Sequence, residues 1–339
     1  MSTVGMRSLT LADYAKRLGP DKQIGRVMEI LEQSNEVLED AMFLEANNVT
    51  THRTVIRTGL PESYWRTLNR GVPKSKSRTV QVDDRIGILE TWSVVDSALA
   101  DLNGQQADFL LSEERAFLES MNQEVAKTIF YGDITDNAAA FQGLAPRYST
   151  MTQSKAENAR NIVDAGGTGN SCTSAWLCVW GDLSLHLIYP KGTTTGLRRE
   201  YLGRCPVVDD DANEFMGYKT NYSWSLGLVV RDWRYVVRVA NIDTAQLDAM
   251  ISSGGALASG QALIRSMIKA HNLVPNIRLG RAAWYMNRSV KTLIDLMAAE
   301  KSNVNLTMAN FAGETVTAFK GVPIRQCDAL VDTESALID

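Results

Sequence analysis

The sequence predicts an α+β fold. Three observations predict it: a long amphipathic helical run from Ser112 to Tyr131, a strand-and-loop block from Thr50 to Asp96, and a second half in which strands and helices follow one another. At 339 residues the chain is long enough for two domains or one large elaborated one. Its 45% hydrophobic and 22% charged residues suit a soluble globular protein with a sizeable core.

In chain order, Asp21 to Ala46 reads as one or two helices, because Ile24, Val27, Met28, Leu31, Leu38 and Met42 keep a helical stripe that lapses around Gln33 to Asn35. Glu29, Glu32, Glu36 and Glu39 lie opposite, as the charged outer face that any helix in water needs. Thr50 to Asp96 is enriched in Thr, Val, Ile, Tyr and Trp and punctuated by Gly59, Pro61, Gly71, Pro73 and Gly87. Its centre sets Arg66, Arg70, Lys74, Lys76, Arg78 and Arg85 against Glu62, Asp83 and Asp84, with Tyr64 and Trp65 among them. Basic residues interleaved with aromatics suit single-stranded nucleic acid. Arg, Tyr and Trp are also the anchors enriched at protein interfaces, and an extended segment with so few apolar residues has no core of its own. It therefore lies on a neighbour's surface, and the protein reading is preferred.

Ser112 N-caps the central helix, Glu113 and Glu114 favour the positive end of its dipole, and Gly132 stands just past its end. Phe117, Leu118, Met121, Val125 and Ile129 form the apolar stripe of a rod about 30 Å long. Two Gly-rich loops follow, YGDITDNAAAFQGLAPRYST and AGGTGN; the second lacks the Lys of a phosphate-binding loop and the third spaced Gly of a dinucleotide site. SCTSAWLCVWG and LSLHLIYPKG read as strands joined by a turn at Gly181-Asp182, and GYKTNYSWSLGLVVRDWRYVVRVANI as an antiparallel hairpin turning at Arg231-Asp232. Thr244 caps a helix interrupted by Gly254-Gly255, and Leu263, Ile264, Met267, Ile268 and His271 mark another that ends near Pro275. RAAWYMN is a strand, Ser289 to Ala299 a helix with Val290, Leu293, Leu296 and Met297 inside, and two short β segments flank Gly321 and Pro323.

The net charge of -4 argues against holding phosphate by bulk positive charge. No run is apolar enough to span a bilayer as a helix, and the opening residues lack the apolar core of a secretory signal, so an intracellular chain without a membrane partner is expected. Cys172, Cys178, Cys205 and Cys327 have no C-x-x-C spacing and read as buried free thiols. Asp209, Asp210 and Asp211 lack calcium-loop spacing and read as a solvated loop, and His186, with no other His or Cys at ligand spacing, reads as a packed or surface histidine rather than a metal ligand. With His52, His186 and His271 in plain surroundings and no nucleophile, zincin or paired-carboxylate motif, no catalytic, cofactor or metal residue is assigned, and no enzyme is expected.

Several stretches in a fixed order carry a family resemblance: GLPESYWRTLNRGV with SKSRTVQV, FYGD then GLAPR, WLCVWGDLSLHLIYPKGTTTGL, GYKTNYSWSLGLVVRDWRYVVRVANID, and FKGVPIRQCDAL. In this order the chain resembles the major capsid proteins of tailed bacteriophages with the Hong Kong 97-type fold, in a short-tailed phage subgroup. The resemblance implies an N-terminal arm (1–49), an extended loop reaching over a neighbouring subunit (50–96), a peripheral domain on the long helix (97–165), an axial domain (166–315) and a return to the peripheral domain with a C-terminal tail (316–339). It places Tyr64, Trp65, Arg66, Arg70 and Arg78 at contacts between subunits. It also implies hexamers and pentamers in an icosahedral shell around double-stranded DNA held without sequence specificity, assembled in the host cytoplasm and present in the virion. A separate scaffolding protein is expected, with a cement protein and a portal as further partners. The rival readings are an encapsulin compartment loaded with protein cargo, a soluble enzyme, and a single-strand nucleic-acid binder.

Overall fold

The computed structural model describes residues 33, 35–102, 106–209, 212–247, 256–299, 306–311 and 314–338. In chain order the strands are β1 (Phe43–Glu45), β2 (Thr51–Gly59), β3 (Arg78–Arg85), β4 (Gly87–Asp96), β5 (Ile162–Asp164), β6 (Cys172–Trp180), β7 (Leu185–Tyr189), β8 (Arg198–Val208), β9 (Glu214–Val230), β10 (Val236–Asp243), β11 (Arg281–Met286), β12 (Leu306–Phe311), β13 (Glu314–Phe319) and β14 (Val322–Gln326). The main helices are α1 (Val37–Asp40), α2 (Gln106–Tyr131), α3 (Ala256–Leu273) and α4 (Arg288–Ala299). The chain divides into two compact units, one holding Ile88–Ala126 and Thr195–Ser225, the other Asn35–Gly87, Lys127–Thr194 and Leu226–Asp339.

The larger unit is organised around β6. All nine of its residues are buried. It lies antiparallel between β10 and β11, with β5 parallel beyond β10 and β14 parallel beyond β11. Ala175, Leu177 and Val179 share one core with Leu263, Ile264 and Met267 of α3 and with Val290, Leu293, Ile294 and Met297 of α4. Trp176, on the alternate face, meets Phe130 and Tyr148 at ring-centroid distances of 6.1 and 5.9 Å. The alternation in the sequence is thus between two apolar environments rather than between core and water. Each fully buried Leu or Val contributes about 1.5–3 kcal/mol relative to exposure. The sheet packs closely at one corner, where a Cβ on Gly280 would stand 2.0 Å from the Trp180 carbonyl oxygen. β13 and β14 form a tight hairpin in which Lys320 and Gly321 both have positive φ, the geometry of a two-residue type I′ turn.

Both ends of this unit's sequence are pinned to its sheet. Asp40 of α1 is buried against the guanidinium groups of Arg281 (2.6 Å) and Arg325 (3.3 Å) and accepts from the Tyr285 hydroxyl, which in turn accepts from Trp180 Nε1. At the other end, Glu334 exchanges two backbone hydrogen bonds with Cys172, and its carboxylate meets Arg238 at 2.8 Å, Ser174 and the Tyr131 hydroxyl. Burial, with the neighbouring Glu334 charge, pushes Tyr131 far above the ordinary phenol range, so it remains a donor.

The smaller unit has its own core of Val95, Leu99, Ala100 and Phe109. Phe117 of α2 stacks on Tyr222 of β9 (6.4 Å, 13°), Arg199 of β8 pairs with Glu114, and Lys219 lies 4.1 Å above the Trp92 ring. β8 pairs with β9 over nearly its whole length as an exposed ribbon.

The structure corrects several expectations. α2 begins at Gln106, because the buried Phe109 extends the apolar register upstream; Ser112 is an interior residue whose hydroxyl donates to the Phe109 carbonyl at 2.8 Å. Asp21 to Ser34 lies outside the described residues save Gln33. Beyond it the expected helix is a single turn, since Phe43–Glu45 runs parallel to β7, and Glu36 pairs with Arg325 rather than facing water. β9 and β10 do not form a hairpin: Trp233–Tyr235 turns the chain so that β9 joins β7 and β8 while β10 joins β5 and β6. Three strands, β5, β8 and β12, had no reading in the sequence. Leu296 is exposed and Ile294 takes the inward position in α4. The helix expected from Thr244 is described only to Leu247, and Asp210, Asp211, Gly254 and Gly255 lie outside the described residues.

Candidate inter-subunit interface

β2 and β3 pair antiparallel from Thr51↔Arg85 to Gly59↔Arg78 and form a two-stranded sheet of their own. β-Branched residues such as Thr54, Val55, Ile56, Thr79, Val80 and Val82 favour the pleated form. A hairpin without further strands is marginal in water, so its root requires support. Support comes from Arg147, which meets the buried Asp84 at 2.7 Å and also donates to the Leu228 and Gln142 carbonyls. The Asn47 side chain brackets Arg53, accepting from its backbone N–H at 2.8 Å and donating to its carbonyl at 2.7 Å. Farther out, Arg53 grips Asp83 bidentately at 2.7 and 2.8 Å. That hydrogen bond raises the Arg53 pKa and lowers that of Asp83, although both are exposed to screening solvent.

Between the strands, residues 60–77 form a loop stiffened from within. Ser75 donates to the Glu62 carbonyl at 2.7 Å, Arg66 Nε donates to the Arg70 carbonyl at 3.0 Å, and the Tyr64 hydroxyl donates to the Glu62 carboxylate. This last bond raises the Tyr64 pKa. Pro61 and Pro73 hold the backbone extended, and Asn69, at φ 63°, turns it. The loop brings together Tyr64, Trp65, Arg66 and Arg70, with Arg78 opening β3, all exposed. Trp65 has a relative exposure of 103%, flanked by Leu60 at 80% and Leu68 at 92%. The sequence singled out Tyr64 and Trp65; it missed Leu60 and Leu68, whose signal was apolar residues spaced along a segment with no core to enter.

Among the described residues no group of His, Cys, Asp and Glu is placed to hold a metal ion, and no helix is long and apolar enough to cross a membrane. Cys172, Cys178 and Cys327 are buried, and Cys205 is half-buried. Burial pushes Cys178 above the usual thiol range and Cys327 up to about 12, so neither is poised as a nucleophile. Of the two readings left open for His186, packed or on the surface, the structure shows the packed one.

The exposed apolar and basic residues thus stand on a loop stiffened by its own hydrogen bonds. A family model for major capsid protein GP7 matches residues 19–338. The chain belongs to this family of major capsid proteins. The solved capsid structure of bacteriophage Epsilon15 is similar to this capsid protein with 33% sequence identity and a TM-score of 0.73 over 99% of each chain. The capsid of a native GTA particle is similar at 9% identity and a TM-score of 0.48, covering 68% of this chain and 98% of that one. The holo-SrpI encapsulin complex of Synechococcus elongatus is similar at 12% identity and a TM-score of 0.43, covering 69% and 97%. With scores this low the last two carry no argument. Among curated proteins none matches. The mixed helix-and-sheet fold is of the Hong Kong 97 type, and the role is structural: a subunit of an icosahedral shell that assembles from copies of itself and forms the virion capsid, not an enzyme.

Proposed function

We propose that the β2–β3 hairpin and its loop reach over a neighbouring subunit, with Tyr64, Trp65, Arg66, Arg70 and Arg78 in the contact. The observation that carries this is the complete exposure of Trp65 beside Leu60 and Leu68, since a cluster of large apolar side chains in water marks an association surface. In this reading residues 1–49 are an N-terminal arm, 50–96 the extended loop, 97–165 a peripheral domain on α2, 166–315 an axial domain around the capsomer axis, and 316–339 the return and tail. Copies related by rotation form hexamers and pentamers through heterologous interfaces, so a small gain per contact is multiplied around each ring. The shell encloses double-stranded DNA without reading its sequence. The net charge of -4 supports this, because a strongly basic lining would hold the genome fast. A steep salt dependence of shell–DNA affinity would count against that part. Assembly takes place in the host cytoplasm on a scaffolding protein, and a cement protein and a portal complete the shell.

The test is Trp65→Ala with Arg66→Ala. Central aromatic and Arg anchors are worth about 2 kcal/mol or more each at an interface. The double variant is expected to keep the circular dichroism of the native subunit and to yield few closed shells by electron microscopy of the overexpressed protein. Normal shells from it would refute the placement of the loop.

A further inference from the structure

The root of the hairpin holds an unusual concentration of polar groups whose hydrogen-bonding is incomplete. His52 and Asp84 are directly paired across β2 and β3, and Thr54, two residues along, shares their face. That face meets His186 of β7, with the His52 and His186 rings edge to face at 5.8 Å, and Arg147, which holds Asp84. Thr54 Oγ1, Asp84 Oδ2, Arg147 Nε and His186 Nε2 are all buried without a hydrogen-bond partner.

The hydrogen bonds select the tautomer of each neutral ring. His52 Nδ1 accepts from the Asn47 backbone N–H at 3.3 Å, so a proton there sets two donors face to face. His186 Nδ1 lies 3.3 Å from the Gly181 carbonyl and is therefore the N–H, which leaves Nε2 as the bare, buried nitrogen; a proton there has no acceptor. The charges around them divide. Asp84 from β3 favours a cation on His52, and the Gly181 carbonyl and Asp182 favour one on His186, whereas Arg231 opposes both and His52 opposes a charge on His186. Burial is the largest influence on both and holds them below the ordinary imidazole value of 6.5, His186 at about 4. Because the hairpin is a separate two-stranded sheet, no β-ladder among the described residues ties it to the strands beneath.

We infer that His52 and His186 form an acid-operated release at the root of the hairpin: the two uncharged rings hold it against β7, and protonation frees it while the sheet beneath stays folded. This goes beyond the proposed contact of Trp65 and is tested on unassembled subunits, so its outcome does not depend on where that loop docks.

Hydrogen exchange of the full-length subunit, corrected for the intrinsic effect of pH, is followed from about pH 7.5 to about pH 4.5, across the imidazole range. Protection in β2 and β3 is expected to fall below about pH 6.5 by up to about tenfold per pH unit for each ring, about a hundredfold for the two together, while β6 keeps its protection. The double variant His52→Gln, His186→Phe removes both titrating rings, and its hairpin is expected to show a flat pH profile. A flat profile in the native protein, simultaneous loss in β6, or an unchanged pH dependence in the double variant would each overturn the inference. Should that variant not fold, the three histidines of the native chain can be titrated by NMR. Resonances of His52 and His186 that titrate clearly below the ordinary value support the release; titration at the ordinary value overturns it.

Discussion

Replacing Arg238 by Met isolates what the buried pair with Glu334 is worth. Both side chains are nearly inaccessible (5% and 8% exposed) and 2.8 Å apart. The guanidinium also donates to Ser174 Oγ and to the Tyr148 carbonyl and lies 5.2 Å from the Trp176 ring centre. Met has nearly the length to fill the space but brings no charge, so the Glu334 carboxylate is left in the interior with Tyr131 and Ser174 as its remaining donors. Breaking one side of such a pair costs about 3–5 kcal/mol. The two remaining donors place Arg238→Met near the lower figure, about 3 kcal/mol. Removing the carboxylate as well, with Glu334→Leu, takes away the orphaned charge, so the double variant should recover about 1–2 kcal/mol over the sum of the single costs. Urea unfolding of the unassembled subunit, followed by tryptophan fluorescence, measures all four corners of the cycle. A single-variant loss below about 1 kcal/mol, or strict additivity, would refute the claim that these groups act as one buried unit.

Further outcomes follow from other sites. Asp40→Ala should destabilise the subunit by about 3 kcal/mol, because two guanidinium groups and the Tyr285 hydroxyl lose their acceptor; the same unfolding assay reads it. Gly280→Ala forces a Cβ against the Trp180 carbonyl and should cost about 3 kcal/mol or leave the protein insoluble, checked by soluble yield and melting temperature. His186 has a lowered folded-state pKa, so its contribution to stability is complete above 6.5, declines as pH falls and is gone near about 4. That window corresponds to about 3 kcal/mol, measurable as a fall in the urea midpoint that His186→Phe should remove.

The sequence disclosed most where one physical rule acted alone. The stripe of Met121, Val125 and Ile129 and the block of β-branched residues after Thr50 both matched the structure, since period and composition decide them locally. It failed where partners distant in the chain decide. Phe43–Glu45 has the look of a helix end, yet β7 draws it into a parallel strand. The valines of β9 and β10 suit a hairpin equally well, but each strand has other neighbours to satisfy. β8 escaped notice because its alternation carries charge on both sides and Pro206 within it. At the hairpin tip, composition alone exposed Tyr64 and Trp65, whereas the internal bonds from Ser75 and Arg66 that shape the loop depend on backbone positions no pattern encodes.

The distance along the chain between Arg238 and Glu334 has a consequence for synthesis. The 96 positions that separate Arg238 from Glu334 must be synthesised before Arg238, enclosed by β6 and its neighbours, receives its counter-ion, and β11 likewise waits for β14. A nascent chain halted earlier holds a stranded cation and an open sheet edge. A chain that stops short of Glu334 is thereby exposed to proteolysis by its own instability, and a subunit is ready for the growing shell only once that segment has been made.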